Sequence, residues 1–191
     1  MSKDPLHVQL IVAVRYNNTP RIRSLLAQGA KVNSRHNSHH MTALAHATSS
    51  RRNTLTYLIN RGATVNARDD DGRTPLMWAI IHGREDNVLA LLEAGANINA
   101  RDQNGVTPLM WAVFNRRTQI VRLLLSRGAR LNARTNNGRH AMNFINMPMA
   151  PGGYVQPMRN NAKNELQRLL IPLNLHSVIR RELGERKRKR T

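Results

Sequence analysis

Four arginines, Arg35, Arg68, Arg101 and Arg134, stand at one interval along this chain (68−35 = 33, 101−68 = 33, 134−101 = 33). Guanidinium groups set in line can grip successive carboxylates or phosphates, each through a planar fork of donors. Three adjacent carboxylates, Asp69, Asp70 and Asp71, invite a metal ion, and His36, His39, His40 and His46 cluster upstream of them. Neither group has a metal site's pattern. Consecutive carboxylates in a turn point different ways and lack the ligand succession of a calcium loop. The histidines have no Cys, Asp or Glu among them and no helical pair beside a glutamate. The carboxylates therefore read as solvated hairpin tips, and no metal is expected. No nucleophile, base and oxyanion donors stand together, and Gly152-Gly153 lacks a phosphate-loop pattern. The expectation is a protein with no catalytic residue and no cofactor.

The arginine interval belongs to a wider one. Gly29-Ala30, Gly62-Ala63, Gly95-Ala96 and Gly128-Ala129 keep it, as do Asn33, Asn66, Asn99 and Asn132, while Gly72, Gly105 and Gly138 mark a second turn per unit. A residue that tolerates φ > 0, recurring at a fixed spacing, means the chain makes the same turn repeatedly. Residues 72–79, Gly-Arg-Thr-Pro-Leu-Met-Trp-Ala, return at 105–112 as Gly-Val-Thr-Pro-Leu-Met-Trp-Ala. Between the turns lie two short apolar helices, with Leu76, Ala79 and Ile80 on one and Val88, Leu91 and Leu92 on the other. Steps of three and four residues put each set on one helix face. Neither helix can bury its stripe alone, so the units must stack. The expected fold is an all-α solenoid of helix-turn-helix units joined by short β-hairpin loops.

This pattern resembles the ankyrin repeat, a β-turn plus two antiparallel helices with a Thr-Pro-Leu-His signature. The resemblance covers about residues 6–146 and 161–171 and is strongest over 66–134. Thr74-Pro75 and Thr107-Pro108 open the first helix of their units, threonine as N-cap and proline at the first helical position. Met77 and Met110 stand for the family's histidine, and Trp78 and Trp111 for a leucine. The tryptophans align on stacked inner helices and read as core rather than as a base-stacking platform. Arg116 occupies the place of a helix-ending glycine (Gly83 one unit earlier), which predicts mild strain.

The units read as about 5–35, 36–68, 69–101, 102–134 and 135–171, together a domain spanning 1–171. The first lacks its hairpin, as an N-terminal cap would. In the second, Thr42-Ala43-Leu44 and Ala47 carry the signature one residue late. In the fifth, Ala141, Met142 and Phe144 match the inner helix, but Leu166, Leu169 and Leu170 come twelve residues late (166−121 = 45, 45−33 = 12). Prolines and glycines there predict a loop insertion at 147–160. Leu175, Val178, Ile179 and Leu183 predict a C-terminal capping helix over 172–185, before a basic tail at 186–191.

The resemblance implies a protein-interaction module whose partner lies on the concave face, built from hairpin tips and the exposed side of each inner helix. Family positions fall on Arg68, Asp70, Asp71, Arg73, Ile81 and His82 in the third unit. They fall on Arg101, Gln103, Asn104, Val106, Phe114 and Asn115 in the fourth, and on Arg134, Asn136, Asn137 and Arg139 in the fifth. With Arg35, the four periodic arginines would then form a ladder with rungs about 10 Å apart. Asp69 and Asp102 are placed to quench their arginine neighbours.

Charge points the same way. The chain carries 30 Lys+Arg against 11 Asp+Glu, a formal +19, and only residues 69–102 are net acidic (3 basic, 7 acidic). Such a field speeds encounter with acidic partners and holds nucleic acid non-specifically at low salt. A GC-rich coding sequence would also favour arginine, which makes up 25 of the 30. Arg186-Lys187-Arg188-Lys189-Arg190 is similar to a nuclear import signal read as an extended basic peptide; a solvated contact with an anionic surface is the plainer alternative. Without cysteine there are no disulfides or thiol chemistry, and no apolar stretch suits a membrane span. The expectation is an intracellular monomer: an adaptor for an acidic or extended protein segment, nuclear through its tail or else cytoplasmic. In an intracellular bacterium or large virus, the nucleus addressed would be a host's. The competing expectation is a charge-driven protein associated with nucleic acid.

Overall fold

Each unit's outer helix ends on the Gly-Ala pair, and that turn sets the geometry of everything after it. In a computed structural model describing residues 5–36, 39–146 and 162–171, Gly95 takes φ +85°. Its N–H donates to the Leu92 carbonyl at 3.1 Å, and the Ala96 N–H donates to Leu91 at 2.9 Å. This six-to-one, five-to-two pair closes the helix and needs a residue at ease in the left-handed region. The same pair of bonds recurs at Gly29, Gly62 and Gly128.

The helices follow the sequence pattern. α1 (Leu6–Arg15) and α2 (Thr19–Ala27) form the first unit. A two-residue antiparallel ladder, β1 (Arg35–His36) with β2 (Met41–Thr42), leads into α3 (Ala43–Ala47) and α4 (Arg52–Asn60). Then come α5 (Pro75–His82) and α6 (Glu85–Glu93), followed by α7 (Pro108–Phe114) and α8 (Thr118–Ser126). A 3₁₀ turn, Ala141–Asn146, takes the inner-helix place of the fifth unit, and α9 (162–171) follows. The inner helices α1, α3, α5 and α7 and the 3₁₀ turn pack in succession, and so do the outer helices α4, α6 and α8. One continuous core runs between these two layers, from Leu10 through Leu76, Ile80, Leu91 and Val121 to Phe144, Leu166 and Leu170. The fold is the all-α solenoid expected from the spacing. The 147–160 insertion, the 172–185 helix and the basic tail lie outside the described residues.

Thr74 and Thr107 hold the N-cap positions, with Pro75 and Pro108 at the start of the helices behind them. Met110 stands in for the family histidine by chemistry as well as position. Its Sδ accepts the Thr107 N–H at 3.4 Å while Thr107 Oγ1 accepts the Met110 N–H at 3.4 Å, a reciprocal cap. Arg116 does adopt the left-handed backbone, φ +52°, where a side chain costs about 1–2 kcal/mol.

Two sets of hydrogen bonds keep the units in register. The periodic asparagines each reach into the next unit. Asn33 Oδ1 accepts from Thr64 N, Asn66 from Asn97 N and Asn99 from Arg130 N, all at 2.8 Å. Asn33 and Asn66 also donate to the Gly62 and Gly95 carbonyls. At the hairpin tips, backbone N–H groups of Asp70, Gln103 and Asn136 donate to the carbonyls of His39, Asp71 and Asn104. No helix among the described residues is long and apolar enough to cross a membrane.

Two substitutions test this reading in denaturant unfolding. Asn66→Ala removes two bonds between the third unit and its predecessor's loop and should cost about 1 kcal/mol. Arg116→Gly should do the reverse, stabilising the chain by about 1 kcal/mol as the left-handed turn is relaxed.

Candidate functional site

The inner-helix face of the third and fourth units is built around one guanidinium. Arg73, at the base of its hairpin, is half-buried, and its Cζ lies 5.2 Å from the ring centroids of both Trp78 and Trp111. Two aromatic faces around one cation contribute about 0.5–1 kcal/mol each, more when desolvated. Arg73 Nη1 also meets Asp71 Oδ2 at 3.2 Å, while its Nε is buried with no acceptor.

Buried carboxylates set the tryptophans in place. Asp69 Oδ1 accepts the Arg73 N–H at 2.8 Å, closing the hairpin, and Asp69 Oδ2 accepts the Trp78 indole N–H at 2.8 Å. One unit later Asp102 does the same: Oδ1 takes the N–H groups of Asn104 and Val106, and Oδ2 takes that of Trp111 at 3.1 Å. Here the structure departs from expectation twice. Asp69 and Asp102 are buried and bonded to their own hairpins, so they do not quench Arg68 and Arg101. Trp78 and Trp111 are half-buried on the inner-helix face rather than enclosed in the core, because the indole N–H must reach the hairpin carboxylate. The three consecutive carboxylates go to three partners, with Asp70 Oδ2 taking His40 Nδ1 at 2.7 Å.

Around the sandwich stand Ile81, His82 and Phe114, each half-buried. His82 stacks on Trp78 at 5.9 Å, and its Nδ1 lies 3.1 Å from Thr48 Oγ1. Phe114 meets Trp111 and Phe144 edge to face. Asn115 is only 4% exposed, and its Nδ2 donates to the Trp111 carbonyl at 2.8 Å. It caps the end of α7 and offers little to a partner, a correction to its expected place on the contact face. Gln103 and Asn104 are exposed hairpin tips tied to neighbouring tips, Gln103 through Nε2 to the Asp70 carbonyl. Arg139 is exposed, its N–H held by Thr135 Oγ1 at 3.1 Å.

The ladder arginines are all exposed, and three of them bind carbonyls. Arg35 Nη1 donates to the Arg68 carbonyl at 2.6 Å, and Arg101 Nη1 to the Arg134 carbonyl at 2.7 Å. Arg134 Nη1 donates within its own hairpin, to Gly138 at 2.8 Å. Arg68 lies against Gly72, where a Cβ would come within 2.5 Å of its Nη2. A guanidinium has five donors, so stitching one hairpin to the next leaves others for a ligand. Residues 186–190 lie outside the described residues.

A signal at the same interval went unread in the sequence. Arg51, Arg84 and Arg117 also recur (84−51 = 33, 117−84 = 33), at the turns between inner and outer helices. Their effect is visible at His82. Burial first, then the charges of Arg117 and Arg84, holds its imidazole pKa below the usual 6.5.

The family model for ankyrin repeats (3 copies) matches this chain over residues 10–102 and 69–135. No curated protein matches it.

Because His82 resists protonation only in the folded state, the unfolded chain binds more protons as the pH falls through 6.5. Stability from this group is therefore present above that pH and lost below it. Thermal unfolding should show a lower Tm at about pH 5 than at about pH 7.5, and His82→Gln should shrink the difference.

Proposed function

Since the chain belongs to the ankyrin-repeat family and is a protein-interaction module, we propose that it grips an acidic, extended segment of a partner protein across its inner-helix face. The observation that carries this reading is Arg73 between Trp78 and Trp111. This desolvated cation keeps an Nε donor without an acceptor, in the middle of the half-buried set Ile81, His82 and Phe114. A carboxylate arriving there meets a guanidinium already fixed in orientation, so little rotamer entropy is lost on binding. Arg35, Arg68, Arg101, Arg134 and Arg139 rim the hairpin side and steer the segment in. Asp70, Asp71, Gln103 and Asn104 at the tips set its register. The protein works as a non-enzymatic, monomeric adaptor, with residues 186–190 directing it to the nucleus.

The rival reading, association with nucleic acid through total charge, rests on the +19 balance and makes a different demand on salt. Phosphate binding weakens steeply as counterions are added back, whereas a protein interface keeps most of its affinity. A pull-down with the full chain, followed by calorimetry on the recovered partner at low and high salt, separates them. Arg73→Ala should weaken the partner at least about ten-fold with the fold intact by circular dichroism, and removing 186–190 should alter location but not affinity. An affinity indifferent to Arg73 yet collapsing with salt would favour nucleic acid.

A further inference from the structure

Arg51, Arg84 and Arg117 hold the N-cap positions of α4, α6 and α8. A cation there faces the positive end of the helix dipole and offers no acceptor to the first-turn N–H groups. None of the three helices has a side-chain cap hydrogen bond. The first unit shows the ordinary use of this place, where Asn18 Oδ1 caps α2 by accepting the Arg21 N–H at 3.1 Å. Loss of such a cap costs about 1 kcal/mol, and here it is lost at three successive turns.

The guanidinium groups are positioned yet poorly satisfied. Arg84 Nη2 and Arg117 Nη2 reach back to the Ser50 and Ile81 carbonyls, both at 3.5 Å, the outer limit of a hydrogen bond. Arg117 Nε is buried without an acceptor. Arg117 lies over Gly83, where a Cβ would collide with its Cζ. These two arginines thus lean across the turn of the preceding unit. Among the described residues, the ion pairs are His40–Asp70, Arg52–Glu93, Arg73–Asp71 and Arg122–Glu165, and none uses this column. Glu85 and Asp86 are exposed in the first turn of α6 beside Arg84 and pair with none of the three.

Resting on the reading of this chain as a protein-interaction module, we infer that Arg51, Arg84 and Arg117 form a second recognition strip, along the helix-turn edge. It takes an extended acidic peptide with a carboxylate at every third residue. Stacked helices lie about 10 Å apart. A polyproline-II chain makes one turn in three residues and advances about 9 Å, which presents every third side chain on one face. Carboxylates in that register meet successive guanidinium groups, each able to form two parallel N–H···O bonds. Nucleic-acid phosphates are set more finely than these rungs, and a continuous run of them would meet Glu85 and Asp86. Neutral residues of the peptide pass those carboxylates without repulsion.

Fluorescence anisotropy with the full chain tests the strip, using two labelled peptides of one composition. One repeats Glu-Pro-Pro three times; the other places its three glutamates together. The spaced peptide should bind several-fold tighter. The combined variant Arg51→Gln/Arg84→Gln/Arg117→Gln should weaken it at least about ten-fold. Arg15→Gln/Arg127→Gln/Arg130→Gln, which removes the same charge from exposed positions elsewhere, should cost no more than about two-fold. Equal losses in both variants, or equal affinity for both peptides, would overturn the strip. So would a labelled oligothymidylate that loses binding to the first variant while the peptide keeps it. Should the triple variant melt early, Arg51→Gln/Arg84→Gln, both exposed, carries the same comparison. Peptide binding that ignores the turn arginines but falls with Arg73→Ala would end this inference and leave the module reading standing.

Discussion

No helix pair in this chain can bury its own apolar stripe, and that constraint accounts for most of what is seen. Leu76 and Ile80 are covered only because Leu44 and Ala47 lie on one side and Leu109 and Val113 on the other. The requirement for a neighbour fixes the repeat length, since each chain segment must return to the same height with the same face turned inward. Glycine at the end of each outer helix makes that return, and the asparagine four residues later ties the loop to the next unit. Where one unit departs from the rule, its neighbours constrain it; Arg116 is held at φ +52° where glycine stood a unit before.

Stacking also explains why side chains that recur in sequence do opposite jobs. The hairpin arginines look like a row of free cations, but Arg35 and Arg101 serve the stack by donating to the next hairpin's carbonyl. The turn arginines, by contrast, break the capping rule at the N-terminus of their own helices and gain only long contacts in return. Residues that violate a local preference without a structural gain mark where a partner supplies the missing interaction. Between the two columns, Arg73 is pinned by aromatic faces and a carboxylate. It is at once part of the scaffold and part of the surface.

Units three and four were legible almost residue by residue, because 72–79 and 105–112 repeat without insertion and their Thr-Pro pairs fix the helix starts. The tryptophans were misplaced because periodicity assigns a face and not a depth. An indole N–H needs an acceptor, and the acceptor is a carboxylate nine residues earlier. That pairing was present in the sequence: Asp69 goes with Trp78 and Asp102 with Trp111, while Thr135 goes with Phe144, which has no N–H to satisfy. Asn115 shows the opposite limit. Its position matched an exposed place in the family, but an asparagine after a helix can cap the carbonyls in front of it, and only coordinates reveal that it does.

The account depends on the units being one cooperative body rather than beads on a chain. Native-state hydrogen exchange tests this through the amides of Thr64, Asn97 and Arg130, each bonded to the asparagine of the preceding unit. In the wild-type chain all three should exchange as slowly as the adjoining helices, and Asn66→Ala should speed Thr64 and Arg130 as well as Asn97. Acceleration confined to Asn97, with the flanking units unaffected, would contradict it.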